Sequence, residues 1–316
     1  GVGEGGGFPA SSKAVSEWFP ARERSTAFGL FNTGSSVGSV IAVPLFSFIM
    51  FGLGWRWVFF VAGGLGLLWS LYWAFFYRLP QEHPRITREE LDLITSAHAA
   101  ESADQPPEPV RWLALFKDRE VLCLLIAKFL TDPVWYFYIF WIPKYLFDVR
   151  GFDTAQVGYF AWIPYAAAGV GSMMGGWLSS HLISRGMALD RSRKLVLGLG
   201  AALMPAAAFV VSAPVGLAIV FISLAFMGHQ IWNVIVQTLP ADFYPRTHVG
   251  SVAGLIGSSG AFGGMVFATI VGWILANLGS YAPIFLIVSL LHPISFIIML
   301  VMIPRIARRS RQGEPA

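Results

Sequence analysis

Long apolar runs broken by short polar or glycine- and proline-rich stretches dominate the chain. A bilayer core about 30 Å thick takes about 20 apolar residues of helix, at 1.5 Å each. Nine segments meet or approach that length, running roughly over 1–18, 25–50, 56–77, 121–146, 156–183, 195–212, 214–238, 250–276 and 282–303. Breakers fall between them: Trp18-Phe19-Pro20, Gly52-Leu53-Gly54, Ser212-Ala213-Pro214 and Tyr244-Pro245. The pattern predicts an all-α fold, a polytopic membrane helix bundle of about nine spans.

The longest polar stretch, 78–120, holds 15 of the 40 charged residues and reads as a loop outside the membrane. Thr87 and Glu90 have capping-box spacing ahead of Leu91, Leu93 and Ile94, which predicts a short surface helix. Pro106, Pro107 and Pro109 then impose an extended linker. The loop separates three spans from six.

Shifting the chain by 225 residues aligns Trp18-Phe19-Pro20 with Phe243-Tyr244-Pro245, Gly29-Leu30 with Gly254-Leu255, Gly38 with Gly263 and Gly3 with Gly228. Glycine at any one of these places has a plain packing reason, since it lets helices approach closely. Their shared offset points instead to a parallel repeat of halves. If the last three spans repeat the first three, the three over 121–212 call for counterparts ahead of residue 1. The expected organisation is then a six-plus-six protein entered near its fourth helix. Residues 1–77 form part of the first bundle (helices 4 to 6), 78–120 the linker loop, 121–304 the second bundle (helices 7 to 12) and 305–316 a tail.

Composition agrees with a lipid setting. Hydrophobic residues make up 55% of the 316 and charged residues 13%, about half the charged share of soluble domains. Twelve Trp and 26 Phe suit interfacial aromatic belts. The single cysteine, Cys123, excludes a disulfide within the chain and a cysteine-rich metal site. The net charge of +4 is spread over loops rather than gathered into a nucleic-acid-binding patch. With alternating sides, 17 Lys and Arg fall on one face and three, Arg56, Lys144 and Arg150, on the other. The positive-inside bias assigns the long loop and the C-terminus to the cytoplasm of a multi-pass protein of the inner (plasma) membrane.

At this point the chain resembles the major facilitator superfamily, and within it the anion:cation symporter branch, especially hexuronate transporters. The resemblance covers essentially the whole chain and rests on Gly3 to Pro9 around Glu4, on Trp18-Phe19-Pro20 with Glu23 and Arg24, and on Phe31-Asn32 with Gly34 and Gly38. It continues through Lys128 to Trp135 with Asp132 and Pro133, Trp141 to Tyr145, and Gly250 with Gly263 and Gly264. The run from Lys128 to Tyr145 is the most specific part. Trp232 departs from the hexuronate pattern, where smaller side chains are expected.

Ionisable groups at membrane depth are costly and mark cavities or partners. Glu4 lies sixteen residues before Pro20, about 24 Å along a helix. A carboxyl there that exchanges one proton could couple proton flow to substrate flow, and the resemblance implies that same role for it. Pairing with a cation on a neighbouring helix is the structural alternative. His229 matches Glu4 under the 225-residue shift, so the corresponding position of each half is ionisable.

Gln230, Asn233 and Gln237 follow at spacings of three and four, with Thr238 adjoining, and offer amides to a polyhydroxylated ligand or act as packing glue. Lys128 and Asp132 stand four apart, with Trp135 and Tyr136 completing that face. The pair is either a permanent neutralising ion pair beside Pro133 or one that opens to bind a carboxylate. Asn32, Ser35 and Ser36 supply small polar groups from the fifth helix. The clusters Arg22-Glu23-Arg24 and Arg185, Asp190, Arg191, Arg193 sit at cytoplasmic helix ends, as latches between halves or as topology anchors.

These readings converge on a secondary active transporter: proton-coupled symport of a small organic anion, most simply a sugar acid such as a hexuronate, by alternating access. Another carboxylate (aldonate, aldarate or aromatic acid) and a non-transporting receptor are the alternatives. An enzyme would need a catalytic constellation, such as a His-Glu metal motif or a Gly-x-Ser-x-Gly turn, and the sequence has neither. The expected partners are the anion, protons and the lipid bilayer, with no cofactor, no nucleic acid and a monomeric state.

Overall fold

A computed structural model describes residues 7–102 and 115–307. Glu4, the linker prolines Pro106, Pro107 and Pro109, and the tail beyond Ala307 lie outside them. The described residues form α-helices and short 3-10 segments, and no strand is found among them. The first helices are α1 (Gly7–Trp18), α2 (Ala21–Leu53), α3 (Trp55–Phe76) and α4 (Arg88–Ser102). After the linker come α5 (Arg119–Asp148), α6 (Thr154–Ser184), α7 (Leu189–Leu203), α8 (Val215–Phe243), α9 (Arg246–Leu278) and α10 (Ala282–Met302).

The expected breakers are where the chain turns. Pro20, Pro214 and Pro245 sit at the N-caps of α2, α8 and α9 with φ of −66°, −58° and −60°; proline has no N–H to leave unpaired there. The Thr87 Oγ1 accepts from the Glu90 amide at 3.2 Å at the start of α4, the capping contact anticipated from their spacing. One segment differs from expectation. Instead of a straight span over 195–212, α7 begins at Leu189 and gives way at Met204–Phe209 to a 3-10 helix, because Pro205 cannot donate to the α-helical ladder.

The repeat has a geometric counterpart. Helices α2 and α9 are both 33 residues long, and each boundary of one maps onto the other under the 225-residue shift. Each ends on a glycine in a backbone conformation closed to most side chains, Gly54 at φ 93° and Gly279 at φ 59°. Their amides return to Met50 and Leu275, again at the same offset.

Among the described residues five helices, α3, α5, α8, α9 and α10, are long and apolar enough by composition to cross a bilayer. Helices α2 and α6 match them in length and join through several polar contacts. Ser25 Oγ donates to the Gly176 carbonyl at 3.0 Å, Ser172 Oγ to the Gly29 carbonyl at 2.9 Å, and Ser25 and Ser180 hydroxyls lie 2.8 Å apart. No bulky side chain separates these backbones: a Cβ on Gly176 would meet the Ser25 carbonyl oxygen and come within 3.0 Å of Gly29 Cα. Replacing Gly176 by Val is therefore expected to cost roughly 1–3 kcal/mol or more from overpacking. Val at Gly216, where a Cβ meets nothing within 4 Å, should leave the thermal midpoint unchanged; equal midpoints for the two variants in detergent would contradict this account of the seam.

Within α5 to α10 two apolar clusters form the core, one around Phe137, Phe226 and Phe285 and one around Leu124, Leu197 and Trp232. Helix α3 has no buried residue and presents Trp, Phe and Leu on all sides, a surface that suits hydrocarbon rather than water.

Candidate functional site

Helices α1, α2, α5, α8 and α9 surround a cavity of about 380 Å³. Most of its polar wall comes from α5 and α8. On α5, Lys128, Asp132, Trp135 and Tyr136 line it, successive turns of one helix face. On α8 the polar lining positions are His229, Asn233 and Gln237, an i, i+4, i+8 row, with Val236 and Pro240 beside them. Ser12 and Ser35 reach in from α1 and α2.

The charges are arranged around α8. Lys128 Nζ lies 2.7 Å from Asp132 Oδ1 and donates to Asn233 Oδ1 at 3.0 Å, so the ammonium ties α5 to α8 while staying paired on its own helix. Both side chains of the ion pair are mostly enclosed, at 10% and 16% exposure. Asn233 Nδ2 in turn donates to Gln230 Oε1 at 3.3 Å. Asn32 Nδ2 donates to Gln237 Oε1 at 2.8 Å, joining α2 to α8. Trp135 lies nearly parallel to His229, with centroids 5.4 Å apart and planes 12° apart. Glycines on α9 make room for this: a Cβ on Gly260 would strike the Asp132 carboxylate, and one on Gly264 the Tyr136 ring.

Of the residues singled out from the sequence, the cavity therefore gathers Ser35, Lys128, Asp132, Trp135, Tyr136, His229, Asn233 and Gln237. Asn32 and Gln230, at 3% and 4% exposure, stand behind the wall and reach it through Gln237 and Asn233. Thr238 is fully buried and donates to the Val234 carbonyl at 2.8 Å; one residue beyond Gln237 is a turn of about 100° away from the cavity face. Glu4 lies outside the described residues. Ser12 and His292 were not singled out. A serine beside Pro9 carries no signal of its own, and His292 sits alone in an apolar run.

One end of the bundle is closed by two buried arginines. Arg193 on α7 bonds Asp242 of α8 through Nε at 2.8 Å, Ser179 of α6 through Nη1 at 2.8 Å and the Ala21 carbonyl of α2 through Nη2 at 3.3 Å. Arg24 on α2 donates to the Ala241 carbonyl of α8 at 3.1 Å. Each arginine thus crosses between the helices before the long loop and those after it.

Apolar outer helices around a charged, amide-lined cavity walled by helices from both sides of the long loop mark an integral membrane transporter. The chain belongs to the Major Facilitator Superfamily, whose sequence profile matches residues 1–268. It is 33% identical over 293 residues to the hexuronate transporter of Escherichia coli, covering 92% of this chain and 67% of that protein. Over 206 residues it is 35% identical to the galacturonate transporter of Dickeya chrysanthemi, covering 65% of this chain and 59% of that one. The chain thus spans roughly three fifths to two thirds of the length of these relatives. A solved structure of a proton:xylose symporter superposes with a TM-score of 0.69 at 14% identity, over 94% of this chain and 67% of that one, a likeness of fold.

Proposed function

We propose that the chain is the substrate-binding part of a plasma-membrane symporter that carries a small sugar acid, most simply a hexuronate, together with protons. The observation that carries the reading is Lys128: a cation held in a polar cavity between five helices, already poised on a carboxylate that a substrate carboxylate can replace. Exchange of one carboxylate partner for another leaves the buried ammonium paired throughout, which avoids the penalty of an isolated charge. Asn233 and Gln237 offer amide groups to sugar hydroxyls, and Trp135 and Tyr136 offer aromatic surface to the ring. The names of the relatives, transporters of hexuronate and galacturonate, favour the same substrate class.

Alternating access then amounts to rocking of the two helix groups about the cavity. The arginine-closed end corresponds to the cytoplasmic side under the charge-based orientation, so the conformation is one closed to the cytoplasm. Of the two protonatable groups that the 225-residue shift pairs, Glu4 and His229, Glu4 is the one assigned to coupling. Cells expressing the natural gene in a transport-deficient strain are expected to accumulate labelled galacturonate against its gradient, and Glu4→Gln to reduce that accumulation at least tenfold. Accumulation by Glu4→Gln at the wild-type level would remove Glu4 from the mechanism, and preferential uptake of an aldonate or aldarate would reassign the substrate.

A further inference from the structure

Behind the cavity wall, the ring of His229 meets a second histidine. His292 on α10 is completely enclosed, and its Nε2 lies 3.1 Å from His229 Nδ1, with the ring planes 79° apart. Two neutral imidazoles can share only one hydrogen in such a contact, so the ring that donates fixes the tautomer of the other.

The surroundings of His292 decide which ring donates. Its Nδ1 has no partner among the described residues, and neither has Trp232 Nε1 nor Ser295 Oγ, one turn further along α10. The Trp232 ring stands edge-on to His292 with centroids 5.6 Å apart. Indole nitrogen can only donate. A hydrogen on His292 Nδ1 would add a second unpaired buried donor to the same enclosed surroundings, whereas a bare Nδ1 adds none. The hydrogen therefore belongs on His292 Nε2.

We infer that His292 is a positioning residue: its Nε2–H donates to His229 Nδ1, holds His229 against Trp135 in the Nε2–H form, and so gives the cavity a neutral, directional donor for a substrate oxygen. With Nδ1 turned to α10 and Trp135 stacked on the ring, Nε2 is the polar atom left on the cavity side, and it has no partner among the described residues. Lys128, committed to Asp132 and Asn233, supplies charge; His229 supplies direction. The inference rests on the proposed function, because it requires a substrate with acceptor oxygens in this cavity.

Nitrogen-15 NMR of the histidine-labelled full-length protein in nanodiscs at alkaline pH tests the tautomer, with assignments from His229→Asn and His292→Gln. Expected signals are a pyridine-type Nδ1 and a pyrrole-type Nε2 for His229. A pyrrole-type His229 Nδ1 overturns the inference whether or not sugar acids bind. For function, His292→Leu is expected to weaken galacturonate binding about tenfold, the scale of one hydrogen bond to a charged group. His292→Gln, which keeps an N–H near the place of Nε2, should remain within about threefold of wild type. Equal weakening by Leu and Gln overturns the positioning role, since a purely packing residue gains nothing from the amide. A wild type that binds no sugar acid overturns the donor role together with the proposed function, while the NMR signature still decides the tautomer.

Discussion

Replacing Lys128 by methionine is expected to abolish substrate binding, lowering affinity for a sugar acid at least a hundredfold, and to destabilise the protein as well. The stability loss has a separate cause: Asp132 would be left as a lone carboxylate in an enclosed site, which costs about 3–5 kcal/mol when the partner of a buried ion pair is removed. The double variant Lys128→Met with Asp132→Leu separates the two effects. Removing both charges should bring the thermal midpoint back close to wild type, while binding stays lost because no cation remains to meet the substrate carboxylate. Filter or scintillation binding of labelled galacturonate beside a thermal unfolding series reads both quantities. A double variant that binds like wild type would show that the pair is structural and that the carboxylate is recognised elsewhere.

The second large effect is expected at the closed end of the bundle. Arg193 makes contacts to α2, α6 and α8 from one buried guanidinium. Arg193→Leu severs all of them at once and leaves Asp242 unpaired at 0% side-chain exposure. The balance between closed and open conformations should move toward open by about one to two powers of ten, given a loss of roughly 1.4–2.8 kcal/mol of differential stabilisation. Spin labels at Glu23 and Arg185, both exposed, should then report a distance distribution shifted to longer values. Lysine at Arg193 should not restore the closed distribution, because an ammonium cannot reproduce the planar fork that reaches three helices. Asp242→Asn, which keeps size and removes charge, provides a milder second variant. Unchanged distributions in both would mean that the arginine packs the end without latching it.

Much of this architecture was legible in the sequence because its causes are local. Proline at Pro20, Pro214 and Pro245 and glycine at Gly54 act on the backbone where they stand, so the helix boundaries followed from them. The Thr87 cap depends on residues three apart. The 225-residue repeat was visible from a few glycines and aromatics, and the matching lengths of α2 and α9 give it physical content. Pairing of Lys128 with Asp132 also needs only one turn of helix.

What was hidden depends on contacts between helices distant in sequence. His292 and His229 are 63 residues apart, and neither helix carries a sign of the other. In the sequence Arg193 stands in a charged cluster at a helix end, whereas its partner Asp242 lies 49 residues away at the far end of α8. Gln230 and Thr238 fall off the lining row of α8, because amide spacing alone does not say which way a helix is rolled. That roll is set by the close approach of α8 to its neighbours, where a Cβ on Gly228 would meet the Gly200 carbonyl oxygen at 2.8 Å.

The serine and glycine seam between α2 and α6 has a mechanical consequence. Helices that touch through backbone and hydroxyls, with no interdigitating knobs, can swivel on one another without any side chain leaving its rotamer. Such a joint behaves as a bearing rather than a ratchet. In the proposed alternating-access cycle, resistance to the swing would then come from the guanidinium clasp at its rim, so the energy of the clasp, more than friction along the axle, would set how fast the two halves exchange sides.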